Sequence, residues 1–187
     1  DHTRQEIVVI PARGRKPPHF TGEAGEIHPK VRQRMKEALL GDKAYAYLDP
    51  RATELLGHAR RSASNARLNE RAVLPVGDSC LWFTWTGTQI QRTLCLMAAL
   101  LEIDAIDCDV AIRLNRDPES VVGAFGKLLE APPTAARLAQ EMPNKWLRKF
   151  DFLLAEPLLV KSLARDALDV GGACEVIYQT LKSSQVG

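Results

Sequence analysis

Residues 72–91 read Ala-Val-Leu-Pro-Val-Gly-Asp-Ser-Cys-Leu-Trp-Phe-Thr-Trp-Thr-Gly-Thr-Gln-Ile-Gln, and this stretch decides the fold. Two runs, 72–76 and 79–85, flank Gly77-Asp78, a dipeptide suited to a hairpin turn. The second run, Ser-Cys-Leu-Trp-Phe-Thr-Trp, is bulky enough for a central strand. Trp82 and Trp85 have an odd separation, so their indoles face opposite sides of that strand; at most one is expected to be exposed on the sheet. Thr88 and Gln91 then have capping-box spacing, and Ile90, Leu94, Met97 and Leu101 form a helical stripe.

Residues 105–114 alternate and predict one further strand. His28-Pro29, Asp49-Pro50 and Asp117-Pro118 are helix starts, with Pro at the first helical position. The first helix should turn Val31, Met35, Ala38 and Leu39 inward and end at Gly41-Asp42. The second should use Leu55, Leu56, Ala59 and Ala63, and the third Val121, Val122, Phe125, Leu128 and Leu129. Residues 6–12 read as a strand and 13–27 as a loop rich in Gly and Pro. After Pro132-Pro133, residues 134–181 read as short helices interrupted at Pro143, Pro157 and Gly171-Gly172. Strands and helices mix without regular βαβ alternation, so the class is α+β. The expected organisation is a core domain over residues 1–131 and a helical C-terminal segment over 132–187 packing on it.

At 187 residues, 45% hydrophobic and 26% charged, the chain can bury a core without covalent staples. No apolar run approaches membrane-spanning length. Cys80, Cys95, Cys108 and Cys174 lack metal-ligand or disulfide-framework spacing; three of them, all but Cys108, have apolar neighbours and read as small core residues. A reducing, cytoplasmic location fits. The chain opens Asp-His-Thr-Arg, without Met, and enters a strand-like run at once, which suggests a piece of something larger.

Motif counting finds no phosphate loop, no Asp-Glu-x-His or Asp-Glu-x-Asp pair, no GxSxG and no HExxH. The histidines (His2, His19, His28, His58) have no ligand spacing. No catalytic residue, metal or cofactor is therefore expected in this chain. Asp107 and Asp109 straddle Cys108 and point the same way on the expected strand. They read either as an acid–base pair or as the wet face of an edge strand.

Charge is uneven. Residues 1–71 hold fourteen Lys/Arg against nine Asp/Glu, and residues 72–187 eleven against fourteen. A basic first third suits a phosphate-contacting face; a solvated surface is the competing explanation. Within it, Arg13, Arg15 and Lys16 precede Pro17-Pro18 and Phe20. Cations beside an aromatic suit single-stranded nucleic acid, with phosphates on the cations and a base on the ring, unless Phe20 tucks into the core and pins the loop. A second candidate is Trp85-Thr86-Gly87-Thr88 with Arg92 one turn on. There a helix N-terminus, two hydroxyls and a glycine could hold a phosphate, unless this is an ordinary capped helix. Arg60, Arg61, Arg67 and Arg71 either extend the basic track or complement a helix dipole.

The order of these segments resembles the region after the winged-helix domain in Lhr-like (large helicase-related) ATP-dependent DNA helicases. The residues that carry the likeness are Arg13-Gly14-Arg15-Lys16-Pro17-Pro18-His19-Phe20-Thr21-Gly22-Glu23, Leu81-Trp82-Phe83-Thr84-Trp85-Thr86-Gly87-Thr88, Lys149-Phe150-Asp151-Phe152-Leu153-Leu154 and Leu168-Asp169-Val170-Gly171-Gly172-Ala173. The resemblance implies an antiparallel sheet flanked by helices, similar to secretion chaperones. It implies an accessory domain that closes over a tracking single strand, with Phe20 matching the aromatic that stacks at the duplex junction. Many relatives use Trp there, and Phe offers less stacking area. The partners implied are single-stranded or forked DNA and the RecA-like motor and winged-helix domains of the same parent, with no membrane. ATP and magnesium would belong to the motor. Two rival readings remain. One is a protein-interaction or chaperone-like module whose helices after Thr134 dock on a partner; an exposed apolar patch there, with Phe20 buried, would favour it. The other is a small enzyme using Asp107/Asp109 or a cysteine, for which no base, nucleophile and orienting group assemble.

Overall fold

Gly77 supplies the positive φ (58°) that a two-residue hairpin demands at its first central position. It joins β1 (Val73–Val76) to β2 (Ser79–Trp82) with Val76 opposite Ser79. The structure, a computed structural model, describes residues 25–184. The expected strand at 6–12 and the loop from Arg13 to Phe20 lie outside the described residues. Pro75 sits in β1, at the sheet edge, where a missing N–H costs no ladder bond.

The stretch 105–114 is not one strand. It makes β3 (Ala105–Asp107) and β4 (Ile112–Leu114), paired antiparallel with Asp107 opposite Ile112. Asp107 Oδ1 accepts the Asp109 N–H at 2.9 Å, Asp109 turns left-handed at φ 73°, and the Cys108 N–H reaches Ala111 O at 2.9 Å. An aspartate bonding its own backbone two residues on is a turn device, and alternation alone does not reveal it. The sheet is four-stranded and antiparallel, in the order β1-β2-β4-β3.

Helices complete the α+β architecture: α1 (Pro29–Leu40), α2 (Pro50–Asn65), α3 (Thr88–Leu100), α4 (Pro118–Leu128), α5 (Ala135–Glu141), α6 (Glu156–Asp166) and α7 (Val170–Ser184). The Asp-Pro starts form as the sequence predicts. Asp49 accepts the Ala52 N–H at 2.7 Å and Asp117 the Ser120 N–H at 2.9 Å. Two expected breaks are helix starts instead. Pro157 lies in the first turn of α6, where its missing N–H is harmless, and Asp169 Oδ1 caps α7 by accepting the Gly172 N–H at 2.8 Å.

One face of the sheet carries the main core. Cys80 and Trp82 of β2 stand opposite Leu114 and Ile112 of β4, all buried. Above them pack Leu94 and Met97 of α3, Phe125 of α4, Leu138 of α5, Leu159 and Leu163 of α6 and Ile177 of α7. The core thus joins residues on both sides of position 131. Trp82 meets Phe125 edge-on at 5.0 Å, and its Nε1 donates to Thr180 Oγ1 at 3.0 Å, so the indole is buried with its polar atom satisfied.

The other face supplies Leu74 and Phe83 to a smaller cluster with Trp85, Ala63, Leu68, Val110, Leu39 and Leu40, which holds α1 and α2. The faces of these two helices differ from expectation. Val31, Met35 and Leu55 are exposed, and the buried residue of α1 is Arg32. Arg32 Nη2 donates to Asp109 Oδ1 on the β3–β4 turn. An ion pair thus takes the place that the apolar stripe was expected to fill.

Candidate nucleic-acid interface

The chain leaves β2 through Trp85, whose φ is 53°. Left-handed backbone costs a non-glycine residue about 1–2 kcal/mol. Burying an indole contributes about 4–6 kcal/mol at ~25 cal/mol per Å², so burial wins and Trp85 stays with 5% exposure, tilted against Phe83 at 5.8 Å. Both β2-region tryptophans are therefore inside, one on each side. Neither is available to stack on a base.

The helix start beyond it is filled by the chain itself. Gly87 is the N-cap of α3 and gives no side-chain cap bond, so Thr88 and Gln91 do not form the expected box. The Thr88 N–H donates to Ile27 O at 3.1 Å, and Thr88 Oγ1 accepts the Ile27 N–H at 2.9 Å. A Cβ on Gly87 would lie 2.7 Å from Ile27 O and 2.7 Å from Pro29 Cδ. Buried Thr86 donates to Thr84 Oγ1 at 3.3 Å. Arg92 Nη1 is spent on Ala167 O at 2.9 Å and Glu26 Oε1 at 3.2 Å. The glycine that would admit a phosphate admits residues 27–29 instead, so Trp85, Thr86, Thr88 and Arg92 form a docking joint for the approach to α1.

Asp107 and Asp109 have structural partners of the same kind. Gln91, 2% exposed, donates to Asp107 Oδ1 at 2.6 Å, Asp109 O at 3.0 Å and Ala111 O at 3.1 Å. The hydrogen bond from Arg32 holds the Asp109 carboxyl below its usual range. These carboxylates brace the β3–β4 turn. Burial raises the Cys95 thiol to about 12 and the Cys80 thiol to about 11, which keeps both protonated and unreactive. Among the described residues no group of three His, Cys, Asp or Glu could hold a metal, and no helix is long and apolar enough to cross a membrane.

Two surfaces remain. The first is the outside of α1, α2 and their flanks. Arg34, Arg51 and Arg67 pair with Glu37, Glu54 and Glu70 three residues on. Lys30, Lys36, Lys43, Arg61 and Arg71 are exposed and form no ion pair with a described residue. Arg60 is structural, donating to Ala38 O at 2.9 Å and Lys43 O at 2.9 Å, where it fastens the α1–α2 connection.

The second surface lies between α5 and α6 and was missed by site reasoning from sequence. Trp146, Phe150 and Phe152 are 65%, 61% and 60% exposed, and Leu153, Leu154 and Leu158 are exposed beside them in sequence. Its available signal is the interleaving of cations and aromatics in Lys145-Trp146-Leu147-Arg148-Lys149-Phe150-Asp151-Phe152. Compared with known proteins, the chain matches no family, no curated protein and no solved structure.

Proposed function

We propose that the chain is a non-catalytic accessory domain of an ATP-dependent DNA helicase of the Lhr-like kind, gripping single-stranded nucleic acid beside the motor and winged-helix domains. The observation that carries the reading is the set of exposed cations on the α1–α2 lobe that form no ion pair with a described residue, Lys30, Lys36, Lys43, Arg61 and Arg71. They continue the basic run of Arg13, Arg15 and Lys16 in the chain. Cations not engaged in ion pairs release DNA counterions when they meet phosphates, which makes binding favourable and salt-dependent. Phe20 supplies the stacking residue of the early loop, and ATP hydrolysis with its magnesium belongs to the motor. The setting is the cytoplasm, in keeping with four free cysteines among the described residues.

Fluorescence anisotropy with labelled single-stranded and forked DNA checks this. Binding should weaken steeply with salt, and each of Lys36→Ala and Arg61→Ala should lower the log–log salt slope by about one. Absence of salt-sensitive binding, together with normal unwinding by the intact parent carrying Phe20→Ala, would refute the grip. A second reading, docking on a neighbouring protein domain, draws support from exposed Leu153, Leu154 and Leu158. Under that reading the chain co-elutes with separately supplied motor and winged-helix domains, and Leu153→Ser/Leu158→Ser abolishes co-elution.

A further inference from the structure

The segment between α5 and α6 has features that the lobe's phosphate contacts do not use. It is held in shape from inside. Asp151 is 6% exposed, and its Oδ2 accepts the Leu147 N–H at 2.9 Å and the Arg148 N–H at 2.8 Å. Asn144 Oδ1 accepts the Trp146 N–H at 2.9 Å, and Leu147 packs against the main core. A short 3-10 turn, Asp151–Leu153, closes the segment. The aromatic rings on it are therefore presented by a braced backbone, which lowers the ordering cost of binding.

Its charge is one-signed where the rings are. Residues 144–150 contain Lys145, Arg148 and Lys149 and no carboxylate. The first carboxylate after them, Asp151, is turned inward onto two backbone donors. Lys149 Nζ lies 5.2 Å from the Phe150 ring centroid. Arg148 Nη2 reaches Asp166 Oδ2 at 3.2 Å, but Arg165 also holds Asp166 at 2.6 Å. Arg148 can turn to a phosphate while Asp166 stays paired. The Lys145–Glu156 contact, 3.7 Å with Glu156 75% exposed, is weak enough to exchange.

We propose that Trp146 and Phe150 form a second single-strand platform, each ring stacking on a base while Arg148 and Lys149 neutralise the flanking phosphates. This deepens the nucleic-acid reading given above and rests on it. An apolar protein partner would favour exposed Leu153, Leu154 and Leu158, whereas three cations interleaved with two rings in the sequence suit phosphates and bases. Sequence-tolerant stacking with a basic track is the chemistry of single-strand binding.

Trp146 reports its own occupancy, because Trp82 and Trp85 are buried. Titrating the chain with oligothymidylate should quench tryptophan emission saturably, with the same midpoint as anisotropy and a shift to higher concentration as salt rises. Trp146→Phe should abolish the quench while keeping most of the affinity. Trp146→Ala should weaken binding about tenfold, one stacked base being worth ~1–3 kcal/mol. Saturable anisotropy without quenching overturns the platform and leaves the lobe's grip standing; no binding by either signal overturns both. Emission that shifts with protein concentration and ignores oligothymidylate identifies a protein-covered face and overturns the platform as well.

Discussion

Trp82 and Trp85 stand three residues apart and anchor two regions built on different terms. Among the described residues, Trp82 belongs to a core of twenty buried residues drawn from the sheet and five helices, while Trp85 shares its cluster with only two other buried residues, Ala63 and Leu68. The first region is held by area removed from water. The second adds polar fasteners: Arg32 to Asp109, Gln33 Nε2 to Trp85 O at 3.0 Å, and Arg60 to Ala38 O. Buried Arg32 even leaves its Nε without an acceptor among the described residues, which costs stability. A region with few buried apolar contacts opens at lower free energy than the core it leans on. The α1–α2 lobe, which displays the exposed cations, is thus the part able to move first.

The largest expected effect falls on the main core. Trp82→Ala should cost about 3–5 kcal/mol and lower the urea midpoint of the whole chain; a loss confined to α1 and α2 would break the distinction. Trp85→Ala should cost less, about 3 kcal/mol, because its cluster has few buried neighbours and can collapse into the space; the left-handed strain stays, since Ala keeps the Cβ. Hydrogen exchange should then speed up in residues 29–65 while α3 and α7 keep their protection. Gly87→Ala should cost about 1–3 kcal/mol through overpacking against Ile27 and Pro29, again with exchange rising in α1 before α3.

Asp109→Asn is smaller, under about 1 kcal/mol, since the carboxylate side chain is 63% exposed. Its signature is pH. Arg32 depresses the folded Asp109 pKa below the ordinary 3.8, so the unfolded chain takes up its proton first as pH falls. The pair's contribution is full above the ordinary value and is lost as pH drops through the depressed one. α1 protection should fade in that window in the wild type and not in the variant. Smallest of all, Trp146→Ser should change stability by no more than about 0.5 kcal/mol, read by urea melt, because that ring touches little of either region.

Much of the fold was legible in local chemistry. The hairpin followed from Gly77-Asp78, the helix starts from Asp49-Pro50 and Asp117-Pro118, and the core stripe of α3 from Leu94 and Met97. Wrong expectations came where a side chain bonded something not adjacent on its own apolar pattern. Asp107 closed a turn inside an alternating run, and Asp169 turned Gly171-Gly172 into the start of α7. Of the candidate sites, the helix start at Thr88 was visible as a pattern, but Ile27, which fills it together with Pro29, lies 61 positions away in the chain. The interleaved cations and rings of 145–152 were visible too, yet nothing local said that they stay in water.

Local sequence was enough for the Gly77-Asp78 hairpin, the starts of α2 and α4 and the bulk that makes β2 a central strand, because caps, turns and side-chain size act within a few residues of backbone. Long-range packing set which face of α1 turns inward, that Gln91 ties three groups of the β3–β4 turn, and that Asp151 withdraws its charge while Trp146 remains exposed. Those outcomes depend on which partners arrive from distant parts of the chain, and burial is a property of the assembled neighbours rather than of the residue.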